Sequence, residues 1–247
     1  WATHYLTPDT RLSIVIARRA GELAMAWPLI RQRRYGLDTL RFMGVPVAQF
    51  GDVLVGDDEA ALLEAGWAFI QTLRADLFEA RKLRADSRLA LSGLLDGAVE
   101  GDRQEAPFAD LTRRVGETGP SHAYPARERS NHRRRLRRLE EHGPLAYAIP
   151  PPGPEAARFA AAAIAMKRAM LARRGIVAPV INDPRFAAVF TDLAADASGE
   201  ASLRIASLSV DGAPVGIDLS FDCKGHSFAH VLATDPQHEH GGIGSVT

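Results

Sequence analysis

The end of this 247-residue chain constrains its fold more than any other stretch. Ser202 to Val210, an Asp211-Gly212 turn, Val215 to Asp222 and Ser227 to Thr234 follow one another, and the chain then reaches Glu239-His240-Gly241-Gly242-Ile243-Gly244. Strand-like runs separated by turn residues at this spacing predict an antiparallel meander. Three glycines in four positions expose backbone N–H groups with little side-chain obstruction, a nest suited to anions such as a pyrophosphate. A helix beginning near Ser245 would add its positive N-terminal end.

The bulk properties point to a folded protein with room for two compact domains, since the chain is long and 46% of it is apolar. Thirty basic and thirty acidic residues cancel, so no global field draws it to nucleic acid or to an anionic membrane. One cysteine, Cys223, excludes an internal disulfide and a multi-cysteine metal site, and fits the expectation of a cytoplasmic protein. No apolar run approaches the roughly 20 residues that span a bilayer, and no signal-peptide pattern opens the chain. Starting at Trp1 and stopping at Thr247, the sequence reads as cut at both ends.

Along the first half, Arg11 to Arg19 and Leu23 to Arg31 predict a hairpin, with further strands at Leu37 to Met43, Phe50 to Val55, Phe78 to Leu83 and Ala106 to Leu111. Glu59 to Arg74 carries apolar residues near a 3.6-residue period and predicts an amphipathic helix behind Asp57-Asp58, and Ser87 to Leu95 predicts a shorter one. A Gly-, Pro- and Ser-containing stretch over 115–125 predicts a junction between a domain over 1–114 and another over 126–247. The second half opens with an Arg-rich helix to His142. A strand from Leu145, an Ala-rich helix from Glu155 to Arg174, a helix capped by Asp183-Pro184 and the meander follow. Both halves therefore predict a mixed α+β fold of mostly antiparallel sheets flanked by helices.

Order and spacing give these segments a family likeness. The stretch from Arg127 to Gly143, then Lys167, Gly175, Asp211-Gly212-Ala213-Pro214-Val215-Gly216, Asp235 and Gly241-Gly242, resembles the CelD/BcsL-like group of GNAT acetyltransferases, and the first half resembles their N-terminal part through Trp27-Pro28-Leu29 and Phe50-Gly51-Asp52. The resemblance implies two tandem GNAT-like domains, the second incomplete at its end, with a more distant relation to FemAB-type aminoacyltransferases. It implies acetyl-CoA or another acyl-CoA as cosubstrate. It further implies transfer to N or O of a sugar or exopolysaccharide precursor. In the GNAT loop patterned Arg/Gln-x-x-Gly-x-Gly/Ala, the matching positions are Glu239, Gly242 and Gly244, so a carboxylate stands where the family carries Arg or Gln.

Carried over position by position, the likeness puts pyrophosphate on Gly241, Gly242 and Gly244, and the thioester on the backbone of Val231, Leu232 and Ala233. Acyl transfer also needs a base and a polarised carbonyl. Asp218 in a strand, Asp235 at a strand end and His230 beside Val231 are the candidate catalytic side chains, each with a structural alternative: a solvent-facing strand residue, a turn cap and a packed histidine. His238-Glu239-His240 has no rigid third ligand, so no metal is expected. Cys223 beside Lys224 lacks a catalytic partner. The arginine run is a solvated helix face, or a basic face for transfer RNA in a FemAB-like aminoacyltransferase. A non-catalytic scaffold in polysaccharide assembly is the remaining alternative.

Overall fold

The structure is a computed structural model that describes residues 1–56, 60–108, 125–198, 202–223 and 225–241. The chain separates into two compact units, Trp1–Arg103 and Gln104–Thr247. Of the expected junction, 115–124 lies outside the described residues, as do Asp57-Asp58, Glu59, Lys224, Gly242 and Gly244.

The N-terminal unit begins with α1 (Ala2–Tyr5), β1 (Thr10–Leu12), β2 (Val15–Arg19), β3 (Glu22–Trp27), β4 (Leu29–Arg34) and β5 (Leu37–Phe42). It continues through β6 (Leu54–Val55), α2 (Ala60–Thr72), β7 (Leu77–Glu79) and α3 (Arg88–Leu91). The expected single hairpin is corrected here. Both of its arms break, at Ser13-Ile14 and at Pro28, and the pieces join different sheets: β2-β3-β6 and β1-β4-β5-β7. Proline supplies no N–H to a ladder, so the chain changes sheet where Pro28 interrupts it. The predicted strand over Ala106 to Leu111 is corrected too, since 106–108 have no regular structure and the rest lies outside the described residues.

Trp27, Leu29, Leu40, Phe42, Leu63, Ile70 and Leu89 form the core of this unit. Trp27 stacks on Trp67 at 6.0 Å, and Phe78 meets both rings edge-on. The helix α2 comes this close because Gly66 has no side chain: a Cβ there would lie 2.5 Å from Met25 Cε and 2.9 Å from Trp27 Nε1. The Asp52 carboxylate accepts from the Arg88 and Leu89 amides at 3.0 and 3.1 Å, which anchors the start of α3.

The C-terminal unit contains α4 (Ala126–Glu140), β8 (Leu145–Ala148), α5 (Pro154–Arg173), α6 (Pro179–Asn182) and α7 (Pro184–Ala195). After these come β9 (Ser202–Val210), β10 (Ala213–Cys223), β11 (His226–Thr234) and a 3-10 helix, Pro236–Gly241. Its sheet runs β11-β10-β9-β8 with every pair antiparallel. Proline at the first turn and the Asp183 side chain, accepting from Arg185 N, start α7 as the sequence predicts.

The alanines of α5 allow close packing, with Ala156, Ala160, Ala163 and Ile164 buried, and α5 packs against α7, β10 and β11. Ile205, Ile217, Leu219, Val231 and Ala233 supply the buried part of the sheet. Leu139 of α4 closes a separate cluster with Leu208, Val210 and Val215. Among the described residues, no helix is long and apolar enough to cross a membrane.

Candidate functional site

The local irregularity that defines this site lies in β11. Pairing with β10 runs in register from Gly216↔Thr234 to Leu219↔Val231 and resumes at Ser220↔Ala229, so His230 is an extra residue, a β-bulge. Beyond it, Val231 and Ala233 stand opposite Leu219 and Ile217, all four buried, while Leu232 stands opposite Asp218 with 37% of its surface exposed. Val231 and Ala233 thus pin the strand from within and leave Leu232 on the other side. Among the described residues β11 is an edge strand, since only β10 pairs with it.

One side chain reaches that strand's backbone from the helix layer. Lys167 of α5 donates from Nζ to the Leu232 carbonyl at 3.0 Å. One helical turn further on, the Thr234 hydroxyl lies 3.9 Å from Met170 Sδ, so two residues of a single helix face meet alternate residues of β11. Burial, reinforced by the charge of Arg174, pulls the Lys167 amine below the ordinary lysine value.

Asp218 is half-buried, and its carboxylate accepts a hydrogen bond from the hydroxyl of buried Ser220, two residues along the same strand face. It is held in place across from Leu232. His230 faces a different environment. Its ring centroid lies 5.0 Å from Phe190, 5.7 Å from Phe221 and 6.3 Å from Phe186.

Asp235 ends the strand as a cap. Its amide donates to the Val215 carbonyl at 2.8 Å, its Oδ1 accepts from Gln237 N at 2.9 Å, and its Oδ2 lies 3.2 Å from His238 Nδ1. The His238 ring in turn meets His142 edge-on at 5.6 Å. The chain expected to form a glycine-rich loop after the strand is, as far as Gly241, a 3-10 helix, because the Asp235 carboxylate folds the backbone back on itself. Gly242 and Gly244 lie outside the described residues.

Leu232 is therefore the meeting point: Asp218 pairs across from it, Lys167 reaches its carbonyl from the helix layer, and Asp235 stands three residues further along, about 10 Å at the rise of a strand. Lys167 was legible only as one position in a family pattern. A stronger signal lay in composition: three lysines, Lys82, Lys167 and Lys224, stand beside 27 arginines, and one of them interrupts the alanine-rich helix.

Residues 126–247 match the family model of the acetyltransferase (GNAT) domain. The C-terminal half is accordingly a GNAT domain, and the class of enzyme it defines is an acyltransferase using acyl-CoA. Among solved structures, the chain is similar to a tandem GNAT protein from the clavulanic acid biosynthesis pathway, solved without AcCoA. That similarity has 13% identity and a TM-score of 0.40, and spans 99% of this chain and 70% of that one. No curated protein matches the chain.

Proposed function

We propose that the chain transfers an acetyl group from acetyl-CoA directly to a nitrogen or oxygen of a small acceptor. The observation that carries this reading is the bulged edge strand β11 inside the region matched by the GNAT model, with buried side chains at Val231 and Ala233 fixing backbone that an extended cosubstrate can pair with. In this reading the backbone of Val231, Leu232 and Ala233 holds the thioester and pantetheine. Gly241, Gly242 and Gly244 take the pyrophosphate. Asp218 is the base we assign, a carboxylate held by Ser220 on the Leu232 side of the strand pair. His230, ringed by phenylalanines, packs the bulge, and Asp235 caps the following turn.

The CelD/BcsL likeness makes a sugar or exopolysaccharide precursor in the cytoplasm the acceptor class. It also makes residues 1–114 a second GNAT-like domain joined through 115–125. The test is calorimetric titration of acetyl-CoA and CoA into the chain and into a Gly242→Asp variant. Micromolar binding that the added carboxylate abolishes is expected, and absence of binding to the unaltered chain overturns the assignment.

One observation favours a second reading, aminoacyl transfer from a charged transfer RNA: Arg127, Arg133, Arg134, Arg137 and Arg138 are all exposed on α4. RNA binding whose strength falls steeply with salt supports it, and salt-independent or absent binding removes it.

A further inference from the structure

We infer that Lys167 is itself an acyl acceptor, a self-modification site at the edge of β11 that takes the acyl group from a bound acyl-CoA when no external acceptor is present. The inference rests on the proposed cosubstrate site. It goes beyond that site because transfer to the chain's own side chain requires a nucleophile in reach of the same thioester, and only the position of Lys167 supplies one from α5.

Lys167 Nζ donates to the carbonyl of Leu232 at 3.0 Å, and the backbone of residues 231–233, assigned above to the thioester, spans only about 7 Å of strand. An acyl thioester paired along this stretch therefore lies within a residue's length of the amine. Held on a helix by Ala163, Ile164 and Met170, all buried, the lysine arrives from a rigid element.

The residue type matters as well. With 27 arginines in the chain, an arginine at this position would make the same kind of charged hydrogen bond to a carbonyl, but its guanidinium keeps its proton and is no nucleophile. A lysine loses its proton more readily when burial disfavours the cation, as at this position.

The step balances without a further reagent. Lys167 gives one ammonium proton to water, and the neutral nitrogen attacks the thioester carbonyl carbon. An N–C bond forms, the C–S bond breaks and the sulfur leaves with its electron pair as the CoA thiolate. The second proton lost from nitrogen passes to that thiolate. The products are an amide at Lys167 and free CoA. Acylation removes the positive charge and replaces the ammonium donor by a bulkier amide on the strand edge, so a modified chain is expected to bind acyl-CoA more weakly.

The chain contains its own control. Lys82, in the N-terminal unit, also donates to a backbone carbonyl, that of Ala48 at 2.9 Å, and burial likewise draws its amine below the ordinary value. Lys82 is the more exposed of the two, so ordinary chemical acylation by a reactive thioester gives Lys167 no advantage over it. The experiment is incubation of the whole chain with acetyl-CoA and no acceptor, followed by peptide mass spectrometry at Lys82, Lys167 and Lys224, with and without excess CoA. Acetylation at Lys167 at least roughly tenfold faster than at Lys82, suppressed by CoA, is expected for an amine delivered to a bound thioester. Lys167→Arg should lose that label yet still bind CoA.

Equal labelling of Lys82 and Lys167, or labelling indifferent to CoA, overturns the inference. Binding of acetyl-CoA by calorimetry with an unmodified Lys167 overturns it and leaves the proposed function standing. Absence of binding overturns both.

Discussion

Each unit draws one lysine partly out of water and ties it to a backbone carbonyl, and the two surroundings differ in what the carbonyl belongs to. Lys82 holds Ala48, in the segment between β5 and β6. Lys167 holds Leu232, in a bulged strand at the edge of the described sheet. Burial lowers both amines for the same reason, so the shift by itself does not mark a site. A connecting segment tied to a side chain gains order. A strand edge tied to a side chain has, beside the tie, further backbone groups that an extended ligand can pair with.

The comparison extends to the cores, where the largest effects are expected. Trp1, Trp27 and Trp67 all lie in the N-terminal unit, so tryptophan fluorescence reports that unit alone. Trp27→Ala removes a fully buried ring packed on Trp67 and Phe78, and should cost about 3–5 kcal/mol in a urea titration followed by the remaining tryptophans. Phe190→Ala, equally buried but in the C-terminal unit, should cost a similar amount by circular dichroism while leaving the fluorescence midpoint in place. If both variants shift both signals together, the units unfold as one body and the comparison between them fails.

A smaller effect sharpens the same contrast. In the N-terminal unit α2 packs closely through Gly66, where a Cβ would press on the Met25 methyl and the Trp27 ring and make these buried side chains shift. Gly66→Leu should therefore destabilise that unit by at least about 1–3 kcal/mol, the usual cost of overpacking. On α5 the small residue at the corresponding task is alanine, and Ala163→Gly is expected to cost only about 1 kcal/mol through helix propensity with a small loss of packing. Chemical denaturation of the two variants checks the order.

How much of this was legible beforehand follows from what each feature depends on. The meander, the Ala-rich helix and the Asp183-Pro184 start of α7 were readable because turn pairs, periodicity and caps are local. The break of the N-terminal hairpin was harder to read. Pro28 stands in the sequence, but which sheet each half joins is decided by pairing with β4, β5 and β6, contacts distant along the chain. The bulge at His230 left no local mark either, since alternation before and after it reads as one strand until the partner's register is known. For the same reason Lys167 and Leu232, 65 residues apart, could not be joined by reading along the chain. Asp235 was readable as either cap or substrate contact, and only the Gln237 amide pointing at its carboxylate favours the cap.

The smallest expected effect concerns the two aspartates that begin helices. Asp52 reaches from a distant segment to the Arg88 and Leu89 amides of α3, beside the N-cap Ser87, whereas Asp183 caps α7 from the adjoining residue through Arg185 N. Alanine at either should cost about 0.5–2 kcal/mol, the usual range for an N-cap, and the loss at Asp52 should be the larger because it also frees the loop that carries it. Asp183 has a pH signature as well. Its hydrogen bonds to the Arg185 side chain, ahead of the backbone hydrogen bond and charge, hold the folded-state carboxyl below the ordinary aspartate range. A depressed folded value means the unfolded chain binds the proton more readily, so the contribution is complete above the unfolded value and disappears as pH falls through the lower, folded one. Thermal melts of the chain and of Asp183→Asn should therefore differ at neutral pH and converge under acid conditions. An undiminished difference in acid would show that the carboxylate's charge contributes nothing and that Asp183 acts through shape alone.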